Sequence, residues 1–239
     1  MAYQSVFKRY EMKYLLTASQ KAAVWQALEP YMALDRYGRT TIQNLYYDME
    51  DFRLIRHSME GPPYKEKLRL RSYGKASPEG PAFVELKKKY NSVVYKRRVS
   101  LPEREAVLWL SGQAPGPADR QITREIDYFC AHYPALRPVV FLSYEREAFY
   151  SRDGGDFRVT FDENILCRRE ELSLETEAWG APILEPGKTL MEVKCSGGMP
   201  LWMARLLARE GIYKTSFSKY GTAYQNLIYP NLQGGYPYA

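Results

Sequence analysis

The chain has 239 residues, 45% hydrophobic and 26% charged, with 34 Lys and Arg against 28 Asp and Glu for a formal charge of +6. That composition can bury a sizeable core and excludes a disordered or fibrous chain. The cationic excess is modest, so it favours acidic partners only where the cations are gathered on one surface. Cys130, Cys167 and Cys195 are widely spaced with no CxxC pair, which leaves a zinc site or disulfide framework unsupported. Two histidines, His57 and His132, poorly supply a His-based metal site or a Ser-His-Asp triad. Charges stand too early in the N-terminus for a signal peptide, and no apolar run is long enough for a membrane span. The expectation is a cytoplasmic protein with no membrane segment of its own.

Residues 5–16 predict a first strand with Phe7, Arg9, Glu11 and Lys13 alternating on one face. Thr17 caps a helix through SQKAAVWQALEPYM, which the Pro30 and Gly38 region ends. Residues 40–48 are β-branched and aromatic, a second strand; 51–61 read as a short helix closed by Gly61 and the Pro62–Pro63 break. Residues 64–73 hold Lys67-Leu-Arg-Leu-Arg71, with Lys67, Arg69 and Arg71 on one face and Leu68 and Leu70 on the other. A hairpin follows, VELKKKY and VVYKRRV around Asn91-Ser92. Its register predicts Lys87 opposite Lys96 and Glu85 opposite Arg98, with Lys89 on the same face and Lys88 and Arg97 on the other. Helices are predicted at 102–111 and 120–132, strands at 137–150, 156–163 and 190–197, and helices at 200–211 and 216–229, the last capped by Ser216 or Ser218. Residues 164–186 read as mixed, and no linker splits the chain.

Strand after strand thus carries polar, mostly cationic residues at period two: Arg9/Glu11/Lys13, Lys67/Arg69/Arg71, Glu85/Lys87/Lys89, Arg146, Arg158/Asp162 and Glu192/Lys194. Amphipathic helices need the apolar faces, which leaves the charged faces to look elsewhere. In an open sheet these are solvated exterior; in a closed barrel they line the lumen. Like charges directly opposite one another destabilise a sheet, and desolvated ions cost several kcal/mol each. A polyanion between them removes most of that cost, and Arg suits phosphate because its planar fork binds two oxygens. Glu192 and Glu11 sit among the cations, either as internal salt bridges or as ligands for Mg2+ or Mn2+, which take one or two carboxylates plus phosphate oxygens.

RYEMKY, KLRLRSYG, VELKKK, YEREAF, RVTFD, MEVK and SKY occur in the order and spacing of the VTC domain, so the chain resembles that family from about Phe7 to about Tyr224. This is the polyphosphate polymerase family of the triphosphate tunnel metalloenzyme (CYTH-like) superfamily. The resemblance implies an α+β fold: an antiparallel β-barrel tunnel with a cationic lumen and helices packed on the outside. A single domain over 1–229 with a flexible tail at 230–239 is expected. The implied substrate is a nucleoside triphosphate, typically ATP, whose γ-phosphoryl passes to phosphate or a polyphosphate chain with Mn2+ or Mg2+. By motif position Lys13, Arg69, Arg71, Lys87, Arg146, Arg158 and Lys219 would bind phosphate. Lys67, Glu85, Lys89, Lys96, Arg98, Lys194 and Ser218 would line the substrate path, and Glu192, with Glu11, would hold the metal.

The hydrolytic branch opens with an ExExK strand, where this chain has Arg9-Tyr-Glu11-Met-Lys13. Losing a carboxylate leaves less to activate a water, which favours transfer over hydrolysis. The expected partners are ATP and polyphosphate or pyrophosphate, without nucleic acid; regulation or chain export would need a membrane or regulatory partner protein. The alternatives are an inorganic or nucleoside triphosphatase on the same scaffold, and a non-catalytic polyanion binder. The tyrosines, 21 in all, do not alternate with the cations as a base-stacking platform should. The four tryptophans read as packing residues, and both histidines as ordinary surface groups.

Overall fold

The structure is a computed structural model that describes residues 10–91, 93–118 and 120–233. Phe7 and Arg9 of the expected first strand, Ser92 of the expected turn and residues 234–239 of the expected tail lie outside the described residues. In chain order the elements are β1 (Tyr10–Leu16), α1 (Ala18–Leu28), β2 (Met32–Leu34), β3 (Thr40–Asp48), α2 (Arg53–Met59), β4 (Tyr64–Tyr73), β5 (Pro81–Tyr90), β6 (Val93–Pro102), α3 (Glu103–Leu110), α4 (Gln121–His132), β7 (Arg137–Ser151), β8 (Arg158–Arg168), β9 (Ala181–Pro182), β10 (Thr189–Cys195), α5 (Leu201–Arg209), β11 (Lys214–Thr215), α6 (Lys219–Ala223) and α7 (Tyr229–Gln233). A wider π turn, Tyr224–Ile228, joins α6 to α7, where a single continuous helix is expected from the sequence. The short strands β2, β9 and β11 are too brief to leave a periodic signal. No helix among the described residues is long and apolar enough to cross a membrane.

The chain divides into two compact units, Met1–Thr41 with Tyr144–Ile165 and Leu184–Ser218, and Ile42–Ser143 with Leu166–Ile183 and Lys219–Ala239, each taken here over its described residues. In the first, β11, β1, β10 and β8 are successive neighbours, with Lys13 opposite Glu192 and Glu192 opposite Thr160. The alternate residues Tyr14, Leu16, Val159, Phe161, Met191 and Val193 form its core with Val24 and Leu28 of α1 and Met203, Leu206 and Leu207 of α5. A reciprocal capping box starts α1: Thr17 Oγ1 accepts from the Gln20 amide at 3.2 Å and Gln20 Oε1 from the Thr17 amide at 3.0 Å.

In the second unit β3, β4, β5 and β6 are successive antiparallel neighbours. Leu68, Leu70, Val84 and Leu86 are fully buried and share a core with Trp109 and Leu110 of α3 and Ile126 and Phe129 of α4. Lys88 and Arg97 sit on this helix side, both paired with Glu125 of α4, as the period-two reading requires. Buried Arg168 fastens the following loop, donating to the carbonyls of Glu170, Glu171 and Trp179 and to Thr176 Oγ1, with its guanidinium 3.4 Å from the Phe141 ring centroid.

The expected closed barrel is not what either unit shows. In neither does the strand order return to its first strand among the described residues. The reason lies at the edges: β11 is a two-residue strand, and β6 has only β5 beside it. Each unit is α+β, an open antiparallel sheet whose apolar side carries helices.

Candidate functional site

Two charged faces hold the residues singled out by sequence, one in each unit. In the second unit they form rows across β3–β6, because paired residues point to the same side. Tyr46, Arg69, Glu85 and Arg98 make one row; Asn44, Arg71, Phe83 and Ser100 the next; Lys67, Lys87 and Lys96 lie on the other side of the first, followed by Lys65, Lys89 and Val94. Glu85 is the only acid of β4–β6 on this face, and it is 1% exposed. Its Oε2 accepts from Arg69 Nε at 2.7 Å, and its Oε1 lies 2.6 Å from Lys96 Nζ and 2.7 Å from Arg98 Nε. Burial alone would raise the Glu85 pKa, yet Arg69, Arg71, Lys96 and Arg98 together pull it well below the usual carboxylate range. A carboxylate so held stays ionised and acts as the counter-ion that sets the guanidinium positions. Burial pushes Lys96 down to about 7; Arg69 and Arg98 add to the fall and Glu85 opposes it. The Lys96 side chain is 44% exposed, so water screens part of that fall.

A supporting layer lies on β3. Arg71, 5% exposed, donates from Nε to Asn44 Oδ1 at 2.9 Å, and Asn44 Nδ2 donates to the Leu142 carbonyl at 3.0 Å. Arg69 Nη1 donates to the Tyr46 hydroxyl at 3.1 Å, and Tyr46 stacks on Tyr220 with centroids 4.9 Å apart. The Tyr220 hydroxyl donates to Asp48 Oδ2 at 2.9 Å. Fully buried Asp48 also accepts the amides of Met49, Leu54 and Ile55, which fixes the start of α2, where Phe52 takes a left-handed φ of 57°. Burial raises the Asp48 pKa despite these four bonds. Next to Tyr220, Lys219 opens α6 and is 9% exposed. Asn44, Tyr46 and Asp48 are the functional supports that the sequence reading missed. Their signal was present as polar residues at period two in TTIQNLYYD, hidden because β3 is buried on both faces.

In the first unit acids and cations are interspersed. Glu11 faces Lys194, which faces Arg158; Lys13 faces Glu192, which faces Thr160. Glu192 Oε1 is 3.7 Å from Lys13 Nζ, and its Oε2 is 3.6 Å from Arg146 Nη2 and 3.5 Å from Lys194 Nζ. Arg146 makes a bidentate pair with fully buried Asp162, Nε to Oδ1 at 2.5 Å and Nη2 to Oδ2 at 2.6 Å. Burial opposes its charge, but Asp162, Tyr144 and Glu192 raise the Arg146 pKa well above its ordinary value. Lys13 Nζ donates to the Phe217 carbonyl at 2.5 Å, and Arg158 is exposed.

Among the described residues no group of three or more His, Cys, Asp or Glu is placed to hold a metal ion. The face offers instead Glu192 with Glu11 diagonally across the β1–β10 pair, and the Thr160 hydroxyl, 7% exposed and without a hydrogen-bond partner among the described residues. All are hard oxygen donors. The set fits a divalent ion only where that ion brings phosphate oxygens with it, since three cations within 3.7 Å of Glu192 would repel a bare dication.

Solved structures place the chain in a fold class. A candidate adenylate cyclase from Bacillus halodurans aligns with a TM-score of 0.54 and 15% identity over 90% of this chain and 94% of that one. A candidate adenylyl cyclase from Hippeastrum with a dominant triphosphatase activity aligns with a TM-score of 0.53 and 15% identity over the same shares, 90% and 94%. The VTC domain matches residues 8–228, and the chain belongs to that family. Among curated proteins nothing matches.

Proposed function

We propose that this chain is a metal-dependent polyphosphate polymerase, a phosphotransferase that passes the γ-phosphoryl of ATP to phosphate or a growing polyphosphate chain. The observation that carries the reading is the row Lys67–Lys87–Lys96, three lysines directly abreast. Like charges directly opposite one another destabilise a sheet, and a bound polyanion lowers that cost. A polyphosphate chain supplies one negative charge after another along such a surface.

In the unit that holds β3–β6, Arg69, Arg71, Lys87 and Lys219 bind phosphate, with Lys67, Lys89, Lys96 and Arg98 lining the substrate and Glu85 fixing the guanidinium positions. In the other unit, Lys13, Arg146 and Arg158 bind phosphate, Lys194 and Ser218 line the substrate, and Glu192 with Glu11 takes the divalent ion. That ion, when bound, neutralises charge developing on the phosphoryl oxygens. The bond from Pγ to the leaving ADP oxygen breaks as a new bond forms from an acceptor phosphate oxygen. This chemistry is mostly positioning and charge neutralisation, and a phosphate acceptor needs no general base to be nucleophilic.

Incubation with ATP and Mn2+, with and without a polyphosphate primer, tests the reading on a gel. A metal-dependent ladder of phosphatase-sensitive chains is expected; release of free phosphate without chain growth overturns it in favour of hydrolysis. The triphosphatase reading has its own motive in the dominant triphosphatase activity of the Hippeastrum protein, which shares the fold.

A further inference from the structure

The face of β3–β6 is polar along the strands, and its two ends differ in kind. At one end stand Lys65, Lys67, Lys87, Lys89 and Lys96. In the middle lie Arg69, Glu85 and Arg98. Past Arg71, at the other end, the cations stop and two aromatic rings take their place. Tyr73, two residues beyond Arg71 on the same face, is 49% exposed. Phe83 pairs directly with Arg71, and its ring meets Tyr73 edge-on with centroids 5.5 Å apart. Arg98 ties this end to the charged rows: its guanidinium lies 4.4 Å from the Phe83 ring centroid, Nη2 donates to the Tyr73 hydroxyl at 3.1 Å, and Nε donates to Glu85 at 2.7 Å.

We propose that Tyr73 and Phe83 form the stacking subsite for the base of a nucleoside triphosphate, so that the phosphates run from Arg71 and Arg69 towards the lysine rows. The inference deepens the proposed function and rests on it. Phe83 and the Tyr73 hydroxyl hold Arg98 in place, but the exposed ring of Tyr73 offers a surface that phosphate, which has no π-face, cannot cover. A nucleobase can, and stacking is indifferent to which base it is. The rows also fix the polarity. Four residues separate Phe83 from Lys87, about 13 Å of strand, and the lysines beyond Arg69 leave room for a chain longer than a triphosphate. The growing polymer therefore leaves at the lysine end, while the spent nucleoside diphosphate is held at the aromatic end. Arg98, shared between Phe83 and Glu85, couples the two.

The test is titration calorimetry of the full chain with ATP and with inorganic tripolyphosphate, which carries the phosphates without the base. Tyr73→Ala is expected to weaken ATP about tenfold and to leave tripolyphosphate within twofold of wild type. Tyr73→Phe, which keeps the ring, is expected to restore ATP binding, and Phe83→Leu to repeat the selective loss. Circular dichroism checks that each variant folds. Equal weakening of both ligands, or of neither, in Tyr73→Ala overturns the subsite and leaves the polymerase reading standing. If wild-type protein binds neither ligand, both readings fall together.

Discussion

On the β1–β10–β8 face acids stand among the cations: Glu11 faces Lys194, Lys13 faces Glu192, and Arg146 grips Asp162, while Lys194 also faces Arg158. On the β4–β5–β6 face cation mostly stands opposite cation: Lys67, Lys87 and Lys96 are abreast, Lys65 faces Lys89, and one buried acid, Glu85, serves Arg69, Arg71, Lys96 and Arg98 at once. Both faces are built from the same alternation and the same residue types. The difference shows that period-two charge by itself does not mark a phosphate surface. The two faces differ in how many acids stand among their cations: cations gathered abreast favour an anion alone, whereas mixed rows suit an anion that arrives with a divalent ion.

The largest contrast is between two arginines. Arg146→Ala removes a bidentate partner of fully buried Asp162, and breaking a buried ion pair from one side costs about 3–5 kcal/mol; thermal melts should show a severe loss of stability. Arg69→Ala leaves Glu85 with Arg98 and Lys96, so the fold should hold while kcat/KM for ATP falls about 100-fold or more. Equal stability losses in the two variants would erase the distinction between the faces. Glu85→Gln sharpens it from the other side. Its cations lose their internal counter-ion, so the melting temperature of the free protein should drop by the equivalent of about 3 kcal/mol. Saturating tripolyphosphate should return most of that loss, since a ligand bound to the folded state alone stabilises it. A drop that ligand does not reverse would make Glu85 a purely structural residue.

How much of this was legible beforehand differs between the two faces for a physical reason. Strand and face assignments came from alternation, which is local: Leu68 and Leu70 inward with Arg69 and Arg71 outward, and the Lys87–Lys96 and Glu85–Arg98 pairs of the hairpin, are where the sequence places them. What alternation cannot carry is non-local. The bidentate Arg146–Asp162 pair joins two strands, and Asp162 was grouped with Arg158 on its own strand because nothing in RVTFD points to β7. Asn44, Tyr46 and Asp48 do not stand out, because a strand buried on both faces reads as packing. Charge on one face of strand after strand suggests a lumen; whether edges meet depends on strand partners, and alternation is silent on those.

A smaller effect separates satisfied oxygens from waiting ones on the β1–β10–β8 face itself. Thr160 Oγ1 is buried without a hydrogen-bond partner among the described residues, directly across from Glu192. An unmade buried hydroxyl bond costs about 1–3 kcal/mol, so Thr160→Val, nearly isosteric, should leave free-protein stability unchanged or slightly raised. If that oxygen serves the ion or its phosphate, the same variant should weaken Mn2+ binding in the presence of tripolyphosphate about fivefold, read by electron paramagnetic resonance, and Thr160→Ser should recover it. Unchanged Mn2+ affinity in Thr160→Val would assign the hydroxyl no part in binding.

The smallest effect is a pH slope, and its sign is fixed by the β4–β5–β6 face. Lys96 has its pKa lowered from 10.5 to about 7, first by burial and then by Arg69 and Arg98. Between those values the unfolded chain holds a proton that the folded, ligand-free protein has lost, so free-protein stability rises with pH across that window. A phosphate chain beside Lys96 favours its charged form, so binding takes up a proton and tripolyphosphate affinity falls as pH rises above about 7. The two slopes have opposite signs because burial drives the first and the anion reverses it. Since tripolyphosphate itself titrates, the readout is the difference between wild type and Lys96→Arg, whose guanidinium keeps its charge throughout. That difference should be at most tenfold per pH unit, reduced by the exposure of the Lys96 side chain. Parallel profiles for the two proteins would mean that Lys96 is fully charged without ligand, and that the lysine row is less desolvated than its spacing suggests.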